Sequence, residues 1–243
     1  MPDRPSSADP RPPNADLRLS VIVPVYNEKR TIEALLEKVR AVPVDKEIII
    51  VDGNSIDGTR EILREQERHA DTRVIYQEAR NGRGAALKEG IAAATGDVVI
   101  FQDADLEVDP ADYPDLLAPI ASGEAEVVFG SRFLENRPRM GLLQWLGNVA
   151  LTKMVNLFFR VRLTDVETCY QVFRREAIRG LRIHNNNFAF TVELTCRLIQ
   201  RGHAIREIPI TYIPRGRAEG KKVYWGDGFV SLWTILRCRL TRP

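Results

Sequence analysis

Over the first hundred residues, short apolar runs alternate with segments whose apolar positions recur at helical spacing. Residues 20–25 read as a strand, and 28–39 as a helix carrying Ile32, Leu35, Leu36 and Val39 on one face. A strand at 47–51, a helix over about 57–68, a strand at 73–76, a helix at 84–94 and a strand at 97–101 follow. Strand-first alternation of this kind predicts an α/β fold with parallel strands joined by crossover helices. Beyond Pro110 the pattern changes. A helix over about 111–121, a strand at 126–130, a helix at 140–159, a helix over about 190–201 and a strand at 204–212 precede an apolar C-terminal segment, 224–240.

Parallel sheets bind ligands at the carboxyl ends of their strands, and here every such loop is polar. After the first strand comes Pro24-Val25-Tyr26-Asn27-Glu28, and after the second Asp52-Gly53-Asn54-Ser55-Ile56-Asp57-Gly58-Thr59. An aromatic ring, carboxylates and glycines suit a nucleoside. Asp57 also fits a helix N-cap. The fourth strand runs into Gln102-Asp103-Ala104-Asp105-Leu106-Glu107-Val108-Asp109-Pro110. Side chains two apart on a strand project to one side, so Asp103 and Asp105 converge, and Glu107 joins them if the chain stays extended. Carboxylates so close repel one another unless a cation lies between them, and hard Mg2+ or Mn2+ takes such oxygens. The alternative is that the aspartates mark a turn, with Asp109 before Pro110 as a helix cap. Pro214-Arg215-Gly216-Arg217-Ala218-Glu219-Gly220-Lys221-Lys222 sets four cations against one carboxylate, which suits either a solvated face or a loop closing on phosphate. No GxxxxGK[ST] occurs, and Gly82-Arg83-Gly84 does not open a GxGxxG.

Composition narrows the picture. The 243 residues suit one large domain, and their net charge of +2 by itself argues neither for nor against a nucleic-acid partner; none is expected. Three dispersed cysteines and three dispersed histidines predict a reduced, cytoplasmic protein without a Cys/His metal site. Residues 1–18 hold five prolines and read as a disordered tail. No run of about 20 uninterrupted apolar residues predicts a membrane span. In the apolar stretch 140–159, Gln144, Asn148, Thr152 and Asn156 recur every fourth residue. Such a stripe fits a helix packed on the domain with one wet edge, or a helix lying in a membrane interface.

Together these landmarks resemble the family-2 glycosyltransferases, most closely the dolichyl-phosphate or polyprenyl-phosphate mannosyl- and glucosyltransferase group. The resemblance runs from Val21 to about Leu240. It is carried by Val21-Ile22-Val23-Pro24-Val25-Tyr26-Asn27-Glu28, the loop after Val51, Asn81-Gly82-Arg83-Gly84, Gln102-Asp103-Ala104-Asp105, Gly130-Ser131-Arg132-Phe133, Thr164-Asp165-Val166-Glu167-Thr168-Cys169-Tyr170 and Gly216 to Lys222. It implies a GT-A type fold, Rossmann-like, with a mostly parallel central sheet flanked by helices and with C-terminal amphipathic helices. Residues 19–243 would form one domain, with a nucleotide-sugar half at 19–110 and an acceptor half at 111–243. By position, Pro24, Tyr26, Glu28 and Asp52 match contacts to base and ribose, and Asp103, Asp105 and Glu107 the metal and diphosphate site. Arg132 matches the acceptor-phosphate contact, and Arg217 with Lys221 or Lys222 the donor-diphosphate grip. Two departures stand out. Gly53 occupies a position where many members have a second aspartate. Gln144 and Trp145 fall where many have an acceptor Arg, leaving Arg137 or Arg139 for that task.

The implied reaction is inverting transfer of a hexose from a GDP-mannose or UDP-glucose class donor to a polyprenyl phosphate, at the cytoplasmic face of a membrane. The apolar surfaces of 140–159 and 224–240 would rest on that membrane, with Arg237, Arg239 and Arg242 near its headgroups. An anionic phosphate acceptor requires no general base. If the acceptor is instead a sugar hydroxyl, Asp165 or Glu167 is the candidate base, although both also fit a turn before a strand at Tyr170. A non-catalytic nucleotide-sugar-binding module is disfavoured by the complete acidic set and basic loop.

Overall fold

The alternation within the apolar run Leu19–Val25, strand β1, serves two cores at once. Val21, Val23 and Val25 face one helical layer, whereas Ile22 faces the other. Six further strands follow in the computed structural model, which describes residues 17–135, 140–215 and 225–241. They are β2 (Lys46–Asp52), β3 (Thr72–Tyr76), β4 (Val98–Phe101), β5 (Val127–Ser131), β6 (Gln171–Arg174) and β7 (Ile205–Pro209). Their order across the sheet is β3-β2-β1-β4-β6-β5-β7. All neighbours are parallel except β6, which runs antiparallel to both β4 and β5. The mostly parallel sheet expected from the sequence is therefore the sheet of the chain, with β6 as its one reversed strand.

Helices α1 (Ile32–Ala41), α2 (Thr59–Gln66) and α4 (Tyr113–Ala121) cover one face. Helices α3 (Arg83–Ala93), α6 (Arg175–Ile178) and α7 (Ala189–Gln200) cover the other. Burying residues such as Leu35, Leu36 and Leu116 contributes about 1.5–3 kcal/mol each. Gly90 lets α3 approach the sheet, because a Cβ there would stand 2.2 Å from Ile22 Cγ2. A third small core joins α7 to α5 (Leu142–Phe159) and α8 (Trp225–Leu240) through Val155, Val192, Cys196, Ile235 and Cys238.

Three sequence expectations are corrected. The first helix begins at Ile32 rather than at residue 28. Asn27, at φ 53°, turns the chain, with its amide donating to Ser55 Oγ at 2.9 Å and its Oδ1 accepting from the Ile56 amide at 2.9 Å. The last strand ends at Pro209, and Tyr212 only bridges Val108. Finally, the polar stripe of α5 faces inward rather than forming a wet edge. Asn148 and Thr152 are buried, while Leu142, Leu146 and Leu157 are exposed, the last by 74%. Thr152 Oγ1 accepts from the Val166 amide at 3.3 Å, and Asn156 exchanges two 2.8 Å hydrogen bonds with the Leu163 main chain. The stripe holds the loop before β6.

Candidate active site

Beyond Phe101 the chain leaves the sheet through Gln102, whose buried Oε1 accepts from the hydroxyls of Tyr113 and Tyr170 at 2.7 Å each. This clamp sets the origin of the acidic segment. Asp103 Oδ1 then meets Arg83 Nε and Nη2, both at 2.8 Å. Arg83 is the first residue of α3, and the Gly84 amide beside it donates to Asn186 O at 2.8 Å. A Cβ at Gly84 would lie 2.7 Å from Phe190 Cβ, so the glycine permits the close docking that aims Arg83 at Asp103. The glycines around Arg83 thus serve packing rather than a phosphate loop.

Asp105 lies two residues on. Burial, then the charges of Asp103 and Glu107, raise its carboxyl to about 7. The chain does not stay extended beyond it. Leu106 adopts φ 62°, in the left-handed region, and turns Glu107 toward the segment after β7. Glu107 Oε1 accepts from the Arg215 amide at 2.9 Å, and its Oε2 accepts from the Tyr212 hydroxyl at 3.1 Å. Among the described residues, no three His, Cys, Asp or Glu side chains form a ready-made cation cage. The expected three-carboxylate convergence is therefore not built, because the left-handed turn removes the alternation on which it depended. Asp103 and Asp105 remain as hard oxygen donors, and a carboxyl held this far above the usual range by burial and like charge is one a divalent cation would relieve.

Arg215 closes the other side. Its Nε donates to Asp105 O at 2.6 Å and its Nη2 to Glu28 Oε2 at 3.0 Å, so one guanidinium ties the loop after β1 to the acidic segment. Sequence reasoning counted Arg215 only as charge and passed over Arg83. The one available signal was a cation beside a glycine or proline turn. Arg217, Lys221, Lys222, Arg137 and Arg139 lie outside the described residues.

On the nucleoside side, Pro24 sits in β1 opposite Val51, and the Arg80 guanidinium lies over the Tyr26 ring at 4.2 Å. Asp52 ends β2, fully buried, with its carboxylate accepting from Arg60 Nε at 2.5 Å and from the Ser55 amide at 3.2 Å. Asp109 caps the short turn at Pro110, accepting from the Ala111 amide at 3.1 Å, whereas the N-cap of α2 is Gly58 rather than Asp57, which stands one residue ahead of it and accepts from the Thr59 amide at 3.0 Å.

A second charged group follows β5. Arg132 forks onto Asp165 through Nε at 2.7 Å and Nη2 at 2.8 Å, and its amide donates to the same carboxylate at 3.1 Å. Tyr212 lies 5.3 Å from the guanidinium. Glu207 of β7 holds the loop by accepting from the amides of Thr164 and Asp165. Asp165 is thus committed to Arg132. Near this pair, Glu167 is half-buried, its Oε1 sealed from solvent without a partner, and burial pushes its carboxyl up to about 7.

Solved structures of glucosyl-3-phosphoglycerate synthase from Mycobacterium tuberculosis share this fold. The complex with uridine diphosphate superposes with a TM-score of 0.74 at 21% identity, covering 95% of this chain and 83% of that one. The complex with Mn2+, UDP-glucose and phosphoglyceric acid gives 0.73 at 22%, covering 95% and 82%. The architecture is the GT-A type. Among curated proteins, glycosyltransferase AglD of Haloferax volcanii is 31% identical, with 83% of this chain matched to 34% of its length. A low-salt glycan biosynthesis hexosyltransferase of the same organism is 31% identical over 81% of this chain and 48% of its length. This chain therefore spans about a third to a half of those two relatives. Undecaprenyl-phosphate mannosyltransferase of Micrococcus luteus is 27% identical over 92% of this chain and 99% of its own. Residues 20–182, the stretch that holds Tyr26, Asp52, Asp103, Asp105, Arg132 and Asp165, match the description Glycosyl transferase family 2, and the chain belongs to that family of glycosyltransferases.

Proposed function

We propose that the protein transfers a hexose from a nucleotide sugar to a polyprenyl phosphate at a membrane surface, with inversion at the anomeric carbon. The observation that carries this reading is the outward apolar face of α5 and α8, two helices packed against each other. Leu142, Leu143, Leu146, Phe229 and Trp233 are exposed, while the polar residues Asn148, Thr152, Ser231 and Thr234 turn inward. An apolar surface of this kind, next to a buried arginine, suits an acceptor with a lipid tail and an anionic head. No helix among the described residues is long and apolar enough to cross a membrane, and in this reading the domain meets the membrane through that exposed face. The Micrococcus luteus relative, matched over nearly its whole length, is named for an undecaprenyl-phosphate acceptor.

In this reading the donor base stacks on Tyr26, displacing Arg80, and the diphosphate lies over Asp103 and Asp105. The cations of Arg215, Arg217, Lys221 and Lys222 would offset the charge that gathers on the leaving nucleoside diphosphate. Asp103 and Asp105 would hold a Mg2+ or Mn2+, which supplies further positive charge beside the leaving group when bound. Arg132 grips the acceptor phosphate with the guanidinium edge that Asp165 leaves open. A phosphate monoester has a second pKa of about 6, so its oxygen is already anionic and attacks the anomeric carbon as the bond to the diphosphate breaks, with no proton to remove. Asp165 then acts as the positioning partner of Arg132 rather than as a general base.

The test is transfer by purified protein from GDP-mannose or UDP-glucose, with Mg2+ or Mn2+, offered a short polyprenyl phosphate, phosphoglyceric acid or a free sugar. Label in the lipid product is the expected outcome. Transfer to phosphoglyceric acid or to a sugar hydroxyl, with none to the lipid, would refute the acceptor assignment.

A further inference from the structure

One buried polar group on the nucleoside side has no role in the mechanism above. Gln77 directly follows β3 and is 5% exposed. Its main chain is committed in both directions, with the amide donating to Asp52 O at 2.9 Å and the carbonyl accepting from Arg60 Nη2 at 2.6 Å. Its side chain is oriented from α3. Nε2 donates to Glu89 Oε1 at 2.8 Å, and because a carboxylate offers only acceptors, this contact settles which end of the amide is oxygen. Oε1 therefore points away from Glu89. It is sealed from solvent and meets no donor. A buried acceptor left in this state costs stability unless a ligand supplies the missing N–H.

The position of the oxygen says which ligand. A Cβ built on Gly53 would stand 3.8 Å from Gln77 Oε1 and 3.7 Å from Tyr26 Cβ. Gly53 does not lie in the left-handed region, so what its missing side chain leaves is a methyl-sized gap, bounded also by Val25 O at 3.4 Å, between the unpaired oxygen and the aromatic residue of the first loop. We infer that Gln77 reads the base of the donor nucleotide, its Oε1 accepting the ring N–H of a uracil or guanine held beside Tyr26. This rests on the nucleotide-sugar reading proposed above. Uracil N3 and guanine N1 carry a hydrogen on the pairing edge. Cytosine N3 and adenine N1 present a lone pair there, which would set acceptor against acceptor. A site built to accept a hydrogen bond discriminates strongly against a ligand that cannot donate it.

The experiment is calorimetric titration of the full chain, in one Mg2+ buffer, with UDP, GDP, CDP and ADP. Wild-type protein is expected to bind UDP or GDP at least about tenfold more tightly than CDP and ADP. Gln77→Met keeps the bulk but removes the acceptor, and should bring that ratio within about twofold. If Gln77 serves only to tie β3 to α3, the same variant would weaken all four nucleotides alike and leave the ratio unchanged, which would overturn the inference. Gly53→Ala guards against misfolding of the first variant, since its methyl meets only ordinary van der Waals contacts. It should weaken the preferred nucleotide and leave pyrophosphate binding untouched, and unaltered nucleotide binding counts against the inference. Nucleotides bound by wild type without base preference refute the role of Gln77 alone. Wild type that binds none of the four refutes the nucleotide-sugar reading as well.

Discussion

At the scale of single residues, the fold holds two carboxyls of the candidate site, Asp105 and Glu167, against their charge. Asp105 has the clearest conflict, since burial and two neighbouring carboxylates oppose its ionisation. Replacing it with Asn keeps the shape and removes the repulsion. Asp105→Asn is therefore expected to lose hexose transfer by about a thousandfold or more, yet to stabilise the metal-free protein by on the order of 1–2 kcal/mol. Transfer assays beside urea unfolding would check both signs, and wild-type turnover in the variant would remove Asp105 from the cation site. Asp103 and Asp105 were legible in the sequence, because two carboxylates at a spacing of two after an apolar run need only strand geometry to be read. Arg83 and Arg215 were not. The first meets Asp103 across 20 residues, and the second meets Glu28 across 187. Contacts of that kind exist only once the sheet has formed.

At the scale of elements, α5 shows how a periodicity can be read correctly and its direction missed. The four-residue recurrence of Gln144, Asn148, Thr152 and Asn156 predicts a stripe, and a stripe is what forms. Hydrogen bonding to the loop at 163–166 draws it inward, and the leucines are left outside. The same inversion recurs in α8, where Ser231 and Thr234 are buried while Phe229 and Trp233 are 74% and 67% exposed. If this face rests on lipid, each of the two aromatic side chains adds about 1.5–3 kcal/mol to the contact. Phe229→Ser with Trp233→Ser should then reduce sedimentation with anionic phospholipid vesicles by at least about tenfold. Because neither ring is buried in the core, the thermal midpoint should stay where it is. Unchanged sedimentation would mean that this face does not meet the membrane.

At the scale of the whole molecule, the pH dependence of stability follows from the carboxyls raised in the fold. Asp105 and Glu167 are both pushed to about 7, the first by burial and its neighbours' charge and the second mainly by burial. Between about pH 4 and 7 the folded chain keeps protons that the unfolded chain has released, so these two groups make stability fall as pH rises. Glu47, Asp57, Asp109 and Glu193 are shifted downward and act below about pH 4.5, where their contribution is lost as pH falls. Urea midpoints of the chelator-treated protein should therefore drop from pH 5 to pH 8. Glu167→Gln should flatten the slope, and Mn2+ should raise the midpoint more at pH 8 than at pH 5. A midpoint that climbs with pH would contradict this account. The sequence by itself determined the parallel βαβ half, the loops that form the candidate site and the family, because those rest on local periodicity and on residues adjacent in the chain. Only the tertiary structure decided that β6 runs backwards through the sheet, that the Glu107 carboxylate is taken up by Tyr212 and Arg215, that Asp165 belongs to Arg132, and that the helices of the C-terminal half show their apolar sides to the outside. Each of these depends on which distant segment is near enough to take a hydrogen bond or a charge, and local spacing carries no record of that distance.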